Sequence, residues 1–146
     1  MDGEQIDYLS VFHHLPVPVL LMTPEQVIAD ANQAFCDLSG RTCGELVGRS
    51  VFEAFPDNPE EPGATGAANL GASLSRVAQT CQRDVMAPQR HDVEVQGNPG
   101  EYRERYWCPV NAPVLGTGGE VTMFVHVVEE IPDLIRKFVE AEAANA

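Results

Sequence analysis

The sequence predicts one domain of the α+β class, in which short helices lie on a strand-rich surface. Three capped turns follow one another between residues 32 and 55, and each is too short to bury its own apolar side chains. The chain after residue 84 instead alternates between apolar and polar residues, as strands do. With 146 residues and 44% hydrophobic composition, it is long enough for one core and too short for two ordinary domains.

An amphipathic helix is predicted over residues 1–14, ahead of a domain over residues 15–130. The apolar face of this helix is marked by Ile6, Leu9 and Phe12. Asp2 is its candidate cap, and the pair His13 and His14 at its end is most simply a surface or capping pair. Two strands are then predicted, over Val19 to Thr23 and Val27 to Asp30.

The next segment carries the start and stop signals of three short helices. Asn32 is a good N-cap, and Gly40 can close its turn in the left-handed conformation. Capping boxes follow at residues 42–45 and 50–53, with Gly48 between them. Beyond a loop rich in proline and glycine at residues 57–66, a longer helix is predicted by apolar residues at helical spacing: Ala67, Leu70, Leu74, Val77 and Cys81.

Three long strands are predicted in the remainder, over residues 84–95, 102–115 and 121–129. The first places Val85, Ala87, Gln89, His91, Val93 and Val95 on one side and Met86, Pro88, Arg90, Asp92 and Glu94 on the other. Glycines at 116, 118 and 119 predict a hairpin between the other two strands and not a phosphate-binding loop, because no helix follows.

The last strand is apolar on both faces, so both faces need a cover. One face carries Val121, Met123, Val125 and Val127, and the other carries Phe124 and Val128. Each exposed Val or Met would forgo roughly 1.5 to 3 kcal/mol of burial. We therefore expect the N-terminal helix, a partner subunit, or both, to cover the outer face. A helix over residues 131–146 repeats apolar residues at coiled-coil spacing: Ile131, Leu134, Phe138 and Ala141.

Charge and cysteine usage exclude several classes of function. A net charge of -13 repels nucleic acid and anionic membrane surfaces, and no apolar run is long enough to span a bilayer. The cysteines at 36, 43, 81 and 108 have no C-x-x-C spacing and sit among apolar or small residues, which predicts buried thiols. No Cys/His cluster has the spacing of a metal site. These features favour a cytoplasmic protein.

The order of these elements resembles a Per-Arnt-Sim (PAS) sensory domain over about residues 8 to 131. The similar motifs are Asn32-x-x-Phe35-x-x-Leu38-x-Gly40, Glu45-Leu46-x-Gly48-Arg49-Ser50, and Trp107-x-Pro109-Val110-Asn111 leading to Gly119-x-Val121. The terminal Asp-Ile-Thr of that family is replaced by Glu130-Ile131-Pro132. The resemblance implies a five-stranded antiparallel sheet with helices on one face, a cavity between them, and flanking helices that relay a signal. It is nearest to PAS modules that precede bacterial histidine kinases or metal-dependent serine/threonine phosphatases.

The flavin-binding branch of that family carries a reactive cysteine and amide side chains at positions where this chain has other residues. Its reactive cysteine falls at Val51, and its flavin-reading side chains fall at Phe55, His91, Trp107 and Val128. No adduct can form at a valine, so we expect no flavin. Haem-binding members commonly use a histidine on the long helix, which residues 67–81 lack. His91 and His126 are the conceivable axial ligands, although a histidine on an apolar strand is more often a hydrogen-bonded core residue.

The remaining hypothesis is a cavity for a small metabolite that is part polar and part apolar. Its predicted lining is Gln89, His91, Trp107, Asn111, Phe124 and His126. Alternatively, Trp107 and Phe124 fill the space and the polar side chains satisfy one another. The predicted dimer interface consists of Ile6, Leu9, Phe12, Met123, Val125 and Val127.

Three classes of function are open at this point. The first is a non-catalytic sensory and dimerisation module, a homodimer that relays to a kinase or phosphatase domain. The second is a small α+β enzyme of isomerase type using His91, although no carboxylate is predicted to face inward beside it. The third is a protein-interaction adaptor, which would gain thermal stability from a protein partner and not from a metabolite.

Overall fold

In the computed structural model, residues 5–61 and 63–144 are described. The helices are α1 (Tyr8–His14), α2 (Gln33–Ser39), α3 (Cys43–Leu46), α4 (Val51–Ala54), α5 (Gly66–Thr80) and α6 (Asp133–Ala144). The strands are β1 (Val19–Met22), β2 (Ile28–Ala31), β3 (Asp84–Val85), β4 (Gln89–Arg90), β5 (Val93–Glu94), β6 (Tyr102–Arg103), β7 (Tyr106–Leu115) and β8 (Val121–Glu130). The class is α+β, as the sequence predicts.

The main sheet is antiparallel and has the strand order β2-β1-β8-β7-β3, with β4 also pairing with β7. Strands β7 and β8 form its long central hairpin, in which Asn111 lies opposite His126. The predicted glycine turn closes this hairpin, with Gly119 in the left-handed region at φ 83°. Because β8 lies between β7 and β1, its inward side chains occupy the middle of the sheet.

One buried side chain, that of Asn32, joins the first strand to the first of the short helices. Its Oδ1 accepts hydrogen bonds from the backbone N–H of Val19 at 2.9 Å and of Phe35 at 3.0 Å. Its Nδ2 donates to the carbonyl of Val17 at 2.8 Å. The side chain thus caps α2, as predicted, and also fixes where β1 begins, which the sequence pattern alone did not indicate.

The other predicted helix signals have mixed outcomes. Gly40 ends α2 in the left-handed conformation at φ 70°, and Thr42 caps α3 by accepting from the N–H of Glu45 at 3.2 Å. Ser50 also caps its helix, but it accepts from the N–H of Phe52 and not from Glu53. The capping box at residues 50–53 is therefore wrong in its partner: the Ser50 hydroxyl satisfies the N–H of the second helical residue and not of the third.

Both flanking helices are shorter than predicted. The first begins only at Tyr8, because Asp7 caps it by accepting from the N–H of Ser10 at 3.1 Å. Ile6 precedes the helix, and the candidate cap Asp2 lies outside the described residues. At the other end α6 begins at Asp133, directly after a proline, and residues 145 and 146 and the side chain of Leu134 lie outside the description.

The long strand predicted over residues 84–95 is wrong. It is divided into β3, β4 and β5, and β5 pairs with β6 in a separate two-stranded sheet. The break falls around Pro88, which cannot donate to a strand ladder. The alternation also changes phase there: before Pro88, Val85 is 64% exposed and Met86 is 7% exposed, whereas after it Gln89 is half-buried and Arg90 is exposed.

The two faces of β8 separate largely as predicted. Phe124, His126 and Val128 are buried against the helices, whereas Met123, Val125 and Val127 are half-buried on the outer face.

The buried-thiol prediction holds only for Cys36. Cys43 and Cys81 are half-buried and Cys108 is exposed on β7, because outward positions of a strand alternate with inward ones. None of the helices within the described ranges is long and apolar enough to cross a membrane.

We expect Asn32→Ala to lower the free energy of unfolding by about 3 kcal/mol, because it leaves the buried N–H of Val19 and the part-buried carbonyl of Val17 unpaired as well as removing a cap. Urea unfolding followed by circular dichroism measures this. Thr42→Ala is the matched control, since it removes an exposed cap and should cost about 1 kcal/mol. Equal losses in the two variants would contradict a role for Asn32 beyond helix capping.

Candidate functional site

A cavity of about 100 Å³ lies between the sheet and helices α2, α4 and α5. Its wall is almost wholly carbon, supplied by Leu20, Phe35, Leu38, Val51, Phe52, Phe55, Ala67, Leu70, Met86, Val93, Trp107, Pro109 and Val128. The volume is of the same order as the engineered apolar cavity of about 150 Å³ that binds benzene. A space of this size and composition accepts a single ring or a short chain.

The structure places four of the six predicted lining residues at the cavity wall: Gln89, His91, Trp107 and His126. Asn111 and Phe124 are not at the wall, and that part of the prediction is corrected. Both are at most 2% exposed and belong to the packed interior of the central hairpin. Strand alternation gives the inward direction of a side chain but not whether a neighbour covers it, which explains the error.

Trp107 forms part of the wall because its ring is held by a hydrogen bond. Its Nε1 donates to the backbone carbonyl of His91 at 2.8 Å, a bond between two segments 16 residues apart in the chain. The indole is thereby held in the wall, and a cavity of about 100 Å³ remains beside it. The alternative that Trp107 and Phe124 fill the space entirely is therefore not the arrangement found.

His91 lies where the cavity meets the start of α5. Its Nδ1 is 3.3 Å from Oδ1 of Asp57, and the same Oδ1 accepts from the N–H of Ala67 at 3.1 Å. Burial lowers the pKa of His91, while Asp57 and Asp92 act in the opposite direction. A side chain at Gly66 would meet the ring, since a Cβ there would lie 2.5 Å from Nδ1. The expectation that no carboxylate lies beside His91 is therefore wrong.

His126 is buried at the cavity wall and is joined to a polar chain behind it. Its Nδ1 is 2.7 Å from Oδ1 of Asn111, whose Nδ2 donates to Ser73 Oγ at 2.9 Å. Ser73 Oγ in turn donates to Oδ2 of Asp84 at 2.6 Å, and Arg76 pairs with that carboxylate at 2.9 Å. This chain connects the middle of the sheet to α5 and to the edge strand β3.

Burial lowers the pKa of His126 to about 4, and the nearby His91 acts in the same direction. The imidazole is therefore neutral at physiological pH. In this form one ring nitrogen donates a hydrogen bond and the other accepts one. Which nitrogen carries the proton therefore decides whether His126 offers a donor or an acceptor to the cavity.

The wall offers little to a large or charged cofactor. Val51 and Phe55, at the positions where a flavin sensor carries its reactive cysteine and a flavin-contacting glutamine, both present carbon to the cavity. Across the residues that are described, no group of three or more His, Cys, Asp or Glu side chains could hold a metal ion. The wall suits an uncharged molecule.

The sequence predicts the run of capped turns as one wall of the cavity, with Phe35 and Leu38 facing the sheet, but none of the six predicted lining residues lies on that helical side. Phe35, Phe52 and Phe55 line it from the short helices, and Phe35 packs edge-on against Phe55 at 5.6 Å between ring centroids. Aromatic residues within capped turns were the available signal, since turns that cannot bury themselves must present such side chains to the sheet. Asp57 was missed because it belongs to a loop.

We expect the free energy of unfolding to fall by up to about 3 kcal/mol as the pH drops from about 6.5 to about 4. An unfolded histidine binds its proton near pH 6.5, whereas His126 in the folded protein binds it only near pH 4, so acid favours the unfolded state across that window. Urea unfolding at a series of pH values measures the slope.

The comparison for this slope is His126→Gln, which keeps an amide donor for Asn111 but does not titrate. In His126→Gln the free energy of unfolding should change less with pH than in the unaltered protein. In the control His14→Gln, at the exposed end of α1, the change with pH should equal that of the unaltered protein. A slope unaffected by His126→Gln would contradict the assignment.

Comparisons with known proteins agree with this architecture. A sequence model of the PAS fold family matches residues 12–134. No relative among the curated proteins matches the chain. The PAS domain of a protein from Colwellia psychrerythraea is similar in structure with a TM-score of 0.66 at 11% identity, covering 85% of this chain and 93% of that one.

Two signalling proteins of Vibrio are also similar. The PAS domain of nitrogen regulation protein NR(II) from Vibrio parahaemolyticus has a TM-score of 0.62 at 13% identity, covering 87% of this chain and 100% of that one. The Vibrio cholerae VqmA dimer has a TM-score of 0.59 at 20% identity, covering 90% of this chain and 53% of that one. At these identities the structures support the fold, and the family match extends over most of the chain. The chain belongs to the PAS fold family, whose members are sensory modules of signalling proteins.

Proposed function

We propose that this chain is a non-catalytic sensory and dimerisation module of bacterial signal transduction, acting in the cytoplasm. It binds a small molecule in the cavity and relays the change through its flanking helices to a kinase or phosphatase output domain. The observation that carries the proposal is the apolar cavity lined by Trp107 and the short helices, since a domain that only paired with partners would gain stability by filling that space.

The path from cavity to flanking helices is short. His126 and Val128 lie at the wall, and two residues after Val128 the strand ends and leads to α6. The N–H of Val128 donates to the carbonyl of Pro18 at 3.2 Å, in the segment that joins α1 to β1. A ligand that moved β8 would therefore act on both ends of the domain through packed neighbours.

Pairing of two copies is the second part of the proposal. Helix α1 buries none of its own residues, and Leu9 is 62% exposed. The outer face of the sheet adds Met123, Val125 and Val127, which are only half-buried. One of the similar proteins, VqmA, is described as a dimer. A second copy placed over α1 and this face would remove both apolar surfaces from water.

The proposal includes neither flavin nor haem. Val51 offers no thiol for an adduct, and a cavity of about 100 Å³ is far too small for a porphyrin without rearrangement. His91 is engaged with Asp57, and His126 with Asn111. The absorption spectrum of the purified chain is a direct check on both cofactors.

A small cavity enzyme is the second candidate, and the contact between Asp57 and His91 is the observation that favours it. A carboxylate that orients a buried imidazole is an arrangement used in general acid-base catalysis. Turnover that depends on pH and is lost in both His91→Gln and Asp57→Asn would support this candidate over the sensor.

We expect toluene to raise the melting temperature of the protein, because an apolar ring that binds only the folded state stabilises it by mass action. Differential scanning calorimetry at increasing toluene concentration measures the shift. Ala67→Leu, which adds carbon inside the wall, should abolish the shift while keeping the domain folded. If only a Trp107→Ala variant responds to toluene, the native cavity is closed by that side chain and the sensory proposal fails.

We expect the protein to sediment as a dimer and Leu9→Glu to weaken that dimer at least about tenfold, since it buries a charge in an apolar interface. Analytical ultracentrifugation over a range of concentrations measures the dissociation constant. Val85→Glu is the matched control: Val85 is 64% exposed, close to the 62% of Leu9, but lies on the edge strand farthest from β2. A monomer at all concentrations would contradict pairing.

A further inference from the structure

Among the polar side chains of the cavity wall, His126 leaves one ring nitrogen without a protein partner in the described part of the chain, as a comparison with its polar neighbours shows. Gln89 donates to the carbonyl of Ala87 and accepts from Asn69, and Trp107 donates to His91. Ser39 donates to the carbonyl of Cys36. His91 is engaged by Asp57, as described above. His126, 9% exposed, uses only Nδ1, and its Nε2 has no hydrogen-bond partner among the described residues.

The direction of the hydrogen bonds behind His126 is set at the protein surface. The pKa of Asp84 is held below its usual range, above all by the hydrogen bond from Arg76, so the group is an ionised carboxylate that only accepts. The hydroxyl of Ser73, 2.6 Å from Asp84, must therefore give its proton to that carboxylate. Its oxygen is then the acceptor for the neighbour on its other side.

Each following link is fixed in turn. Asn111 reaches Ser73 Oγ at 2.9 Å with its amide nitrogen, which donates, so its carbonyl oxygen faces His126. That oxygen can only accept, and it lies 2.7 Å from Nδ1 of His126. Nδ1 therefore carries the imidazole proton. In a neutral ring the second nitrogen then has a lone pair and no hydrogen.

We propose that the cavity selects a small, mostly apolar molecule that carries a single hydrogen-bond donor, such as a hydroxyl on one ring, and that Nε2 of His126 accepts from it. This inference rests on the proposed sensory function and specifies its ligand class. The acceptor lies in a wall that is otherwise almost wholly carbon, so a ligand that offers a donor can pair with it, whereas a ligand that offers only carbon covers the nitrogen without a hydrogen bond. A ligand with only acceptors meets a lone pair and is disfavoured.

The first test examines the unaltered protein without a ligand. Long-range nitrogen-proton correlation NMR of the histidine rings distinguishes the two neutral tautomers. The result expected is that His126 is protonated at Nδ1 and unprotonated at Nε2. A proton at Nε2 would overturn the proposal, because the cavity would then offer a donor.

The second test compares phenol with toluene, which are nearly equal in size but differ in the donor. Toluene is the more apolar of the two, so its affinity for an apolar cavity differs from that of phenol for reasons other than the donor. The ratio of the two dissociation constants is therefore measured in the unaltered protein and in His126→Leu, and the two ratios are compared. Isothermal titration calorimetry should show the preference for phenol falling about fivefold in the variant. An unchanged ratio would overturn the inference.

The outcomes separate this inference from the function on which it rests. If both probes bind and His126→Leu leaves their ratio unchanged, the cavity binds ligands without selection by His126, so the sensory proposal stands and the ligand class falls. If neither probe binds the unaltered protein, the proposed function fails with it. Should His126→Leu fail to fold, Asn111→Leu provides the second variant: it releases the tautomer of His126 while leaving the imidazole at the wall, and the phenol preference should fall there too.

Discussion

The orientation of the polar chain that begins at Asp84 is the constraint on which the interior of this domain depends. A carboxylate that only accepts determines the direction of the bonds through Ser73 and Asn111, and so the tautomer of His126. The same chain attaches helix α5 to the two central strands, since its members lie on α5, β3, β7 and β8. Such a chain rigidifies the interior only when every member is satisfied. Its open position is Nε2 of His126, the member of the chain that lines the cavity.

The cavity exists because the sheet and the helices around it are held too far apart for their side chains to fill the space between them. Asn32 fixes the start of α2 against β1, and the ring of Trp107 is held by the carbonyl of His91. At the start of α5, Gly66 allows the ring of His91 to approach the helix backbone. These contacts are polar or backbone contacts. The apolar side chains between them could fill the cavity only if a buried hydrogen bond broke. The free energy lost with that bond is about as large as the free energy gained by burying the apolar surface.

Local signals predicted most of the fold, and long-range contacts account for the errors. Caps at Asn32 and Thr42 and the glycine hairpin depend on residues a few positions apart, so the sequence displays them directly. The strand over residues 84–95 failed because Pro88 interrupts it: β3 and β4 pair with different parts of β7, and β5 pairs with β6. The contact of Asp57 with His91 spans 34 residues and joins a loop to a strand, and no spacing rule reports such a pair.

The side chains that distinguish this member of the PAS fold family also limit what it can recognise. Where a flavin sensor places reactive and polar groups, Val51 and Phe55 present carbon, so shape and apolar area make up most of any binding energy. A methylene more or less in such a pocket discriminates only about 10- to 200-fold, whereas a buried polar group that demands a partner rejects ligands more strongly. For the ligand class proposed above, selection between ligands therefore depends mainly on one nitrogen atom, Nε2 of His126. Its hydrogen-bonding character is decided by an ion pair between Arg76 and Asp84 at the other end of the chain.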